Sequence, residues 1–228
     1  MSTLYQSFPL GLDARLLIAL RIQKAALIPL VPDRLIKAGF DPMESLPASS
    51  PVRKQGFEPD ARAAWRMMAR HPDLFAATDT PQKQQSAIRT LSRFRDRWAH
   101  QQLLTEDETR RFLLTGAELL ETLAQAEEAF ALRALAHPPV DRLGELQAIL
   151  SQLPLSEAPD FESLALHLDM EAGDSSDATK LRALLVWSAA SDLIAARPPN
   201  ALNVIQGGKR AIYLGWSITL DHTASWTY

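Results

Sequence analysis

The stretch TEDETRRFLLTGAELLETLAQAEEAFALRAL, residues 105–135, constrains the fold more than any other part of the chain. Thr105 and Glu108 have the spacing of a capping box, in which each side chain satisfies a backbone N–H that the first helical turn leaves unbonded. Glu106 and Asp107 add negative charge at the positive end of the helix dipole. Leu113, Ala117, Leu120 and Ala124 then recur at helical spacing, with no proline in the run. The pattern predicts one long amphipathic helix. Such a helix must bury its apolar face against other helices, so the first expectation is a mainly α fold.

The preceding residues support that expectation. In LDARLLIALRIQKAALIPL, Leu12, Leu16, Ala19, Leu20 and Gln23 follow three- and four-residue steps, and Pro29 and Pro32 mark the expected end. FDPMESLPASSPVRKQGF is rich in Pro and Ser and reads as a loop. EPDARAAWRMMARHPDLF reads as a second helix, with Pro59 in its first turn and Pro72 near its end. A third is expected over roughly 82–103.

AHPPVD, residues 136–141, interrupts the helical pattern and is the expected domain boundary. Charge changes there as well. Residues 1–138 carry 18 Lys/Arg against 16 Asp/Glu, whereas residues 139–228 carry 6 against 11. We therefore expect a helical domain over 1–137 and an acidic, smaller region over 138–228. The latter holds helical candidates near 141–152, 160–171 and 178–196. Its ALNVIQGGKRAIYLGWSITL has β-branched and aromatic residues around Gly207–Gly208, as a short β-hairpin requires.

Several chemistries drop out. The chain has no cysteine, which removes disulfides, thiol nucleophiles and zinc–thiolate sites. The opening MSTLYQSFPLGLDARLLIAL lacks a basic leader, and Asp13 and Arg15 interrupt its apolar run, so a signal peptide is not expected. No apolar stretch approaches the roughly 18 residues of a membrane span, and the expectation is a soluble, cytoplasmic protein. QGGKR at 206–210 lacks the upstream glycine and following Ser/Thr of a phosphate loop. His71, His137, His167 and His222 show no metal-ligand spacing and are expected at the surface. No metal or cofactor is expected.

RFRDRWAHQQ, residues 93–102, is different. At about 100° per residue, Ala87, Leu91, Phe94 and Trp98 share a stripe about 60° wide, the expected core face. Arg95, Asp96 and His100 occupy another sector, about 140° wide, with Arg89 and Ser92. From Lys83 to Arg97 there are five basic residues and the single acid Asp96. On spacing alone this is either a solvated basic face or a face that attracts phosphate.

Arg95, then Asp96, then three residues, then His100 resembles the hallmark of the HEPN superfamily: an Arg, a polar residue and a His after four to six intervening positions. The surroundings resemble the Swt-like HEPN branch. DARAAWRMMARHPDLF stands where that branch has an Asp-led helix with an aromatic-rich end, Trp98–Gln101 supplies the WAHQ that follows the motif, and LLETLAQAEEAF supplies the long leucine-rich helix. The resemblance spans about 10–137.

It implies a HEPN-like helical bundle of four to five helices that forms a homodimer, with two motif helices lining one cleft. It also implies a metal-independent endoribonuclease, of a kind found in stress and phage-defence systems, or else a non-catalytic dimerisation or RNA-binding module of a larger, possibly ATPase-linked, assembly. In an active member the 2′-hydroxyl beside the scissile phosphate is the nucleophile. His100 is then the proton-transfer group, Arg95 grips the phosphate and its developing charge, and Asp96 orients the imidazole across an i,i+4 pair. Arg89, Arg93 and Arg97 are RNA-positioning contacts. The acidic region after 137 is expected either to compete for the basic face or to bind a partner.

Overall fold

The computed structural model describes residues 11–55, 59–76, 81–138, 142–152, 161–171 and 173–195. All regular structure among them is helical. The helices are α1 (Leu12–Lys37), α2 (Pro51–Gln55), α3 (Ala61–Arg70), α4 (Pro72–Phe75), α5 (Pro81–Ala99), α6 (Glu106–Thr122), α7 (Ala126–Ala136), α8 (Leu143–Gln152), α9 (Phe161–His167) and α10 (Ser175–Ala195). The hairpin expected around Gly207–Gly208 lies outside the described residues. The chain separates into two compact units, one of them Leu12–Ala136 and the other holding α8 to α10.

In the first unit α6 packs on α1, α5 and α7, while α3 packs on α1 and α5. The core is built from Leu16, Ile22, Leu27 and Val31 of α1, Trp65 and Met68 of α3, Leu91 of α5, Phe112 and Leu120 of α6, and Leu132 of α7, all buried. Trp65 and Phe112 meet edge to face, centroids 6.4 Å apart, a geometry the ring quadrupoles favour. Gly116 lets α6 come close: a Cβ there would lie 3.0 Å from both Gln23 Nε2 and Leu132 Cδ1. Arg15, only 2 % exposed, ties three elements together. Its guanidinium bonds the carboxylate of Glu106 at the start of α6 and the Leu135 carbonyl in α7.

Several local expectations are corrected. α1 does not stop at its prolines but runs through Pro29 and Pro32 to Lys37. Each proline removes one helical hydrogen bond. The acceptors they free, on Ala25 and Ile28, belong to exposed and half-buried residues, where water can bond them, while Ala26, Leu27, Val31 and Leu35 hold the other face in the core. The long helix over 105–135 is in fact two. Ala124 takes φ 61°, and Gln125 N–H bonds Leu120 O while Ala124 N–H bonds Glu121 O. That is a Schellman closure, and it lets α7 fold back on α6.

The same closure ends α1 at Gly39, φ 83°, and α9 at Asp169, φ 52°. Only the first uses the residue best suited to that conformation. The presumed loop after α1 contains the single-turn α2, and His71 is half-buried rather than at the surface. Its ring sits 4.4 Å from that of Phe40, and its Nε2 lies 2.9 Å from Ser45 Oγ.

In the second unit Leu146, Leu164, Leu168, Leu181, Leu185 and Trp187 are buried. Asp174 caps α10 by accepting from the N–H groups of Ser176 and Asp177 at 2.8 and 3.0 Å. The Arg142 guanidinium closes the end of α9 by donating to the Leu168 carbonyl.

Candidate functional site

The residues singled out for chemistry run along α5 from Arg89 to Arg97 and end at His100, just after it. Ile88, Leu91 and Phe94 are buried and fix its rotation. Trp98 continues that face only in part. It is half-buried, and its indole Nε1–H donates to Asp13 Oδ1 of α1 at 3.0 Å, so it spans the rim of the core instead of filling it.

Asp96 and Arg95 lean towards α3. Arg62 Nη2 donates to Asp96 Oδ2 at 2.7 Å, and Arg95 Nη1 reaches Asp96 Oδ1 at 3.5 Å. Arg95 Nη2 lies 3.7 Å from Oδ2 of Asp60. Asp60 is itself the N-cap of α3, where its Oδ1 accepts from Ala63 N–H at 2.8 Å. One face between α3 and α5 thus holds Arg62, Arg95, Asp60 and Asp96 as a chain of alternating charge. Arg66, one turn after Arg62, adds a further positive charge. The Arg62 guanidinium is held below its ordinary pKa, first by burial and then by the charge of Arg66, with Asp96 opposing the shift. Like charges therefore crowd Arg62 on this face, with Asp60 and Asp96 opposing them.

His100 lies at the other end of the arrangement. It is the C-cap of α5: its N–H bonds Asp96 O at 3.1 Å, and the next two N–H groups, of Gln101 and Gln102, bond Trp98 O and Arg97 O. Gln101 takes φ 59° to close this Schellman turn. A side chain other than glycine in that conformation costs about 1–2 kcal/mol. The chain therefore turns sharply just after the histidine, whose ring is exposed and makes no hydrogen bond among the described residues. The expected i,i+4 pair of Asp96 with His100 is not formed among the described residues; the Asp96 carboxylate is directed to Arg62 and Arg95 instead.

The remaining arginines divide. Arg97 is bound to α6: Nη1 donates to Glu108 Oε1 at 2.5 Å and Nη2 to Oε2 at 3.3 Å. Glu108 at the same time bonds the Thr105 N–H, completing the capping box. Its carboxyl is held below the usual range, chiefly by the Arg97 hydrogen bond and next by that of the Thr105 backbone. Arg89 and Arg93 are exposed, with Arg89 bonded weakly to Gln85 at 3.3 Å. Arg93, Arg97 and Arg111 line a shallow cleft of about 240 Å³ between α5 and α6, together with Phe94, Asp107 and Glu108.

Sequence reasoning singled out neither Arg62 nor Asp60 for a role. A signal was present. In α3, Ala61 to Met68 are buried except for Arg62 and Arg66, four residues apart; two cations on one edge of an apolar helix mark the edge that meets other charges.

The WAHQ context, the arginine–aspartate–histidine spacing and the Asp-capped helix lying against them are now in place. Residues 41–124 match the Swt1-like HEPN family. The match covers α2 to α6 and includes Asp60, Arg62, Arg95, Asp96 and His100. It is narrower than the 10–137 suggested by the sequence pattern, and α1 and α7 pack on the matched segment from outside it. No curated protein and no solved structure matches the chain. Among the described residues no helix is long and apolar enough to cross a membrane, and no group of three His, Asp or Glu side chains could hold a metal ion.

Proposed function

We propose that the HEPN segment is an endoribonuclease module that cleaves RNA through its own 2′-hydroxyl. One observation carries this reading: the HEPN match contains an intact Arg95–Asp96–His100 set, with an imidazole exposed at a helix end and cations along the same helix. In the reaction the 2′-oxygen forms a bond to phosphorus, the bond to the 5′-oxygen breaks, and the products are a 2′,3′-cyclic phosphate and a 5′-hydroxyl. A base must take the 2′-proton and an acid must give one to the leaving oxygen.

His100, whose ring makes no hydrogen bond among the described residues, is suited to one of these transfers. A second copy of the chain, in the family's dimeric arrangement, supplies an equivalent group for the other. Arg95 stabilises the charge on the non-bridging oxygens, and Arg89 and Arg93 hold flanking phosphates. Such a module fits a stress or phage-defence system, where RNA cleavage halts growth.

The commitment of Asp96 to arginine favours a second reading, a silent HEPN domain that binds RNA or dimerises within a larger assembly. The test is direct. Purified wild-type protein should cut total RNA or tRNA, and the His100→Ala protein, with an unchanged helical signal, should not. RNA binding without cleavage in both proteins establishes the second reading instead.

A further inference from the structure

We propose that Arg62 of α3 is a second phosphate-gripping residue of the site, set beside Arg95 by Asp96, so that Asp96 positions two guanidinium groups and not the imidazole. The inference rests on the RNA-binding reading of the HEPN segment and extends it to a helix that carries none of the motif.

The geometry is that of a clamp. Asp96 is bonded by Arg62 through Oδ2 at 2.7 Å and by Arg95 through Oδ1 at 3.5 Å. One carboxylate therefore fixes two planar forks at adjacent positions, one from each of two packed helices. Their side chains are 28 % and 26 % exposed, so each keeps part of its surface open to a ligand. Neither guanidinium is saturated by these contacts. A guanidinium has five N–H donors, whereas Arg62 spends one on Asp96, and Arg95 holds its two carboxylates at the long distances of 3.5 and 3.7 Å.

Charge points the same way. Among the described residues, Arg62, Arg66 and Arg95 face Asp60 and Asp96, three cations against two anions. A phosphate would balance the excess and could take over Arg95 from Asp60, its most distant partner. Arginine forks bind phosphate oxygens in pairs, and two forks held together can grip one phosphodiester from two sides.

The experiment measures binding of a fluorescent single-stranded RNA, 2′-O-methylated so that it cannot be cleaved, as a function of salt. On single strands each phosphate contact contributes about 0.7 to the slope of log affinity against log salt. Arg62→Ala should lower that slope by about 0.7, as Arg95→Ala should, and weaken binding at least about five-fold at fixed salt. Arg62→Lys should keep most of the slope. Arg70→Ala, an exposed cation at the far end of the same helix, should leave it unchanged and so controls for general charge. The helical signal of each variant reports folding; Asp96 keeps Arg95 in every Arg62 variant and is not left unpaired. A wild-type slope in Arg62→Ala, with a lowered slope in Arg95→Ala, overturns the role of Arg62 and leaves the RNA-binding reading intact. No binding by the wild-type protein overturns both.

Discussion

Arg97 and Glu108 are joined by two hydrogen bonds, 2.5 and 3.3 Å long, between the end of α5 and the first turn of α6. The same carboxylate closes the capping box on Thr105. One side chain thus fixes both the start of α6 and its attachment to the helix that bears His100. Because the folded state holds the Glu108 carboxyl below its ordinary range, the stability it contributes is fully present above the unfolded-state value. It is lost as pH falls through the lowered folded-state value. Glu108→Gln keeps a capping-box side chain but cannot ionise. Its melting temperature should be lower than wild type at neutral pH, with the difference shrinking below about pH 4. A constant difference across that range would remove the ion pair from the account.

Trp98 gives a second test. A fully buried tryptophan costs about 3–5 kcal/mol on truncation to alanine, but Trp98 is half-buried. Trp98→Ala should therefore destabilise by about 2 kcal/mol. Trp98→Phe, which keeps most of the packing and loses the bond to Asp13, should cost about 0.5–1.5 kcal/mol. Denaturant melts distinguish these values. A loss for Trp98→Ala as large as for a core residue would mean that the rim of α1 and α5 is more closed than its exposure shows.

Two of the Schellman turns without glycine make a third. Gln101 and Ala124 hold φ values of 59° and 61°, where a Cβ is strained. Glycine relieves that strain and costs some entropy in the unfolded chain. Gln101→Gly and Ala124→Gly should each stabilise the protein by about 0.5–1 kcal/mol in chemical denaturation. A decrease in stability for either would show that its side chain makes a contact worth more than the strain.

These residues also show where the sequence was legible. The start of α6 was readable because Thr105 and Glu108 act over three positions, within one turn. The end of that helix was not. Residues 120–126 contain neither glycine nor proline, and the break comes from the packing of α6 on α7, which local periodicity does not record. The motif shows the same contrast. Spacing put Arg95, Asp96 and His100 in one sector of α5 and the HEPN resemblance made them a set, but a partner of Asp96 is Arg62, 34 residues earlier. Within its own helix, local geometry offered Asp96 the i,i+4 pair with His100 or an i−3 pair with Arg93. An opposing helix offered a stronger one, since an arginine bonded to a carboxylate adds charge attraction to the hydrogen bond.

The last prediction concerns the nucleophile. A metal nuclease gathers carboxylates or histidines so that an ion-bound water attacks the phosphate. Around the Arg95–Asp96 pair, Asp60 and Asp96 face arginines at 3.7 Å or less, while Glu108 is held by Arg97 and Asp13 by the Trp98 indole. Arg62, Arg66 and Arg95 surround Asp60 and Asp96, and a divalent cation would have to enter against that positive charge. On the proposed reading, stabilisation of the phosphorane-like charge falls to arginine and the attacking oxygen comes from the RNA. Cleavage should persist in excess EDTA and leave a 2′,3′-cyclic phosphate or the 3′-phosphate derived from it. It should stop when the ribose at the cut is replaced by deoxyribose. Activity abolished by EDTA, restored by magnesium or manganese, and equal on DNA would falsify this mechanism, because the nucleophile would then be water and the role given to His100 would have no substrate proton to act on.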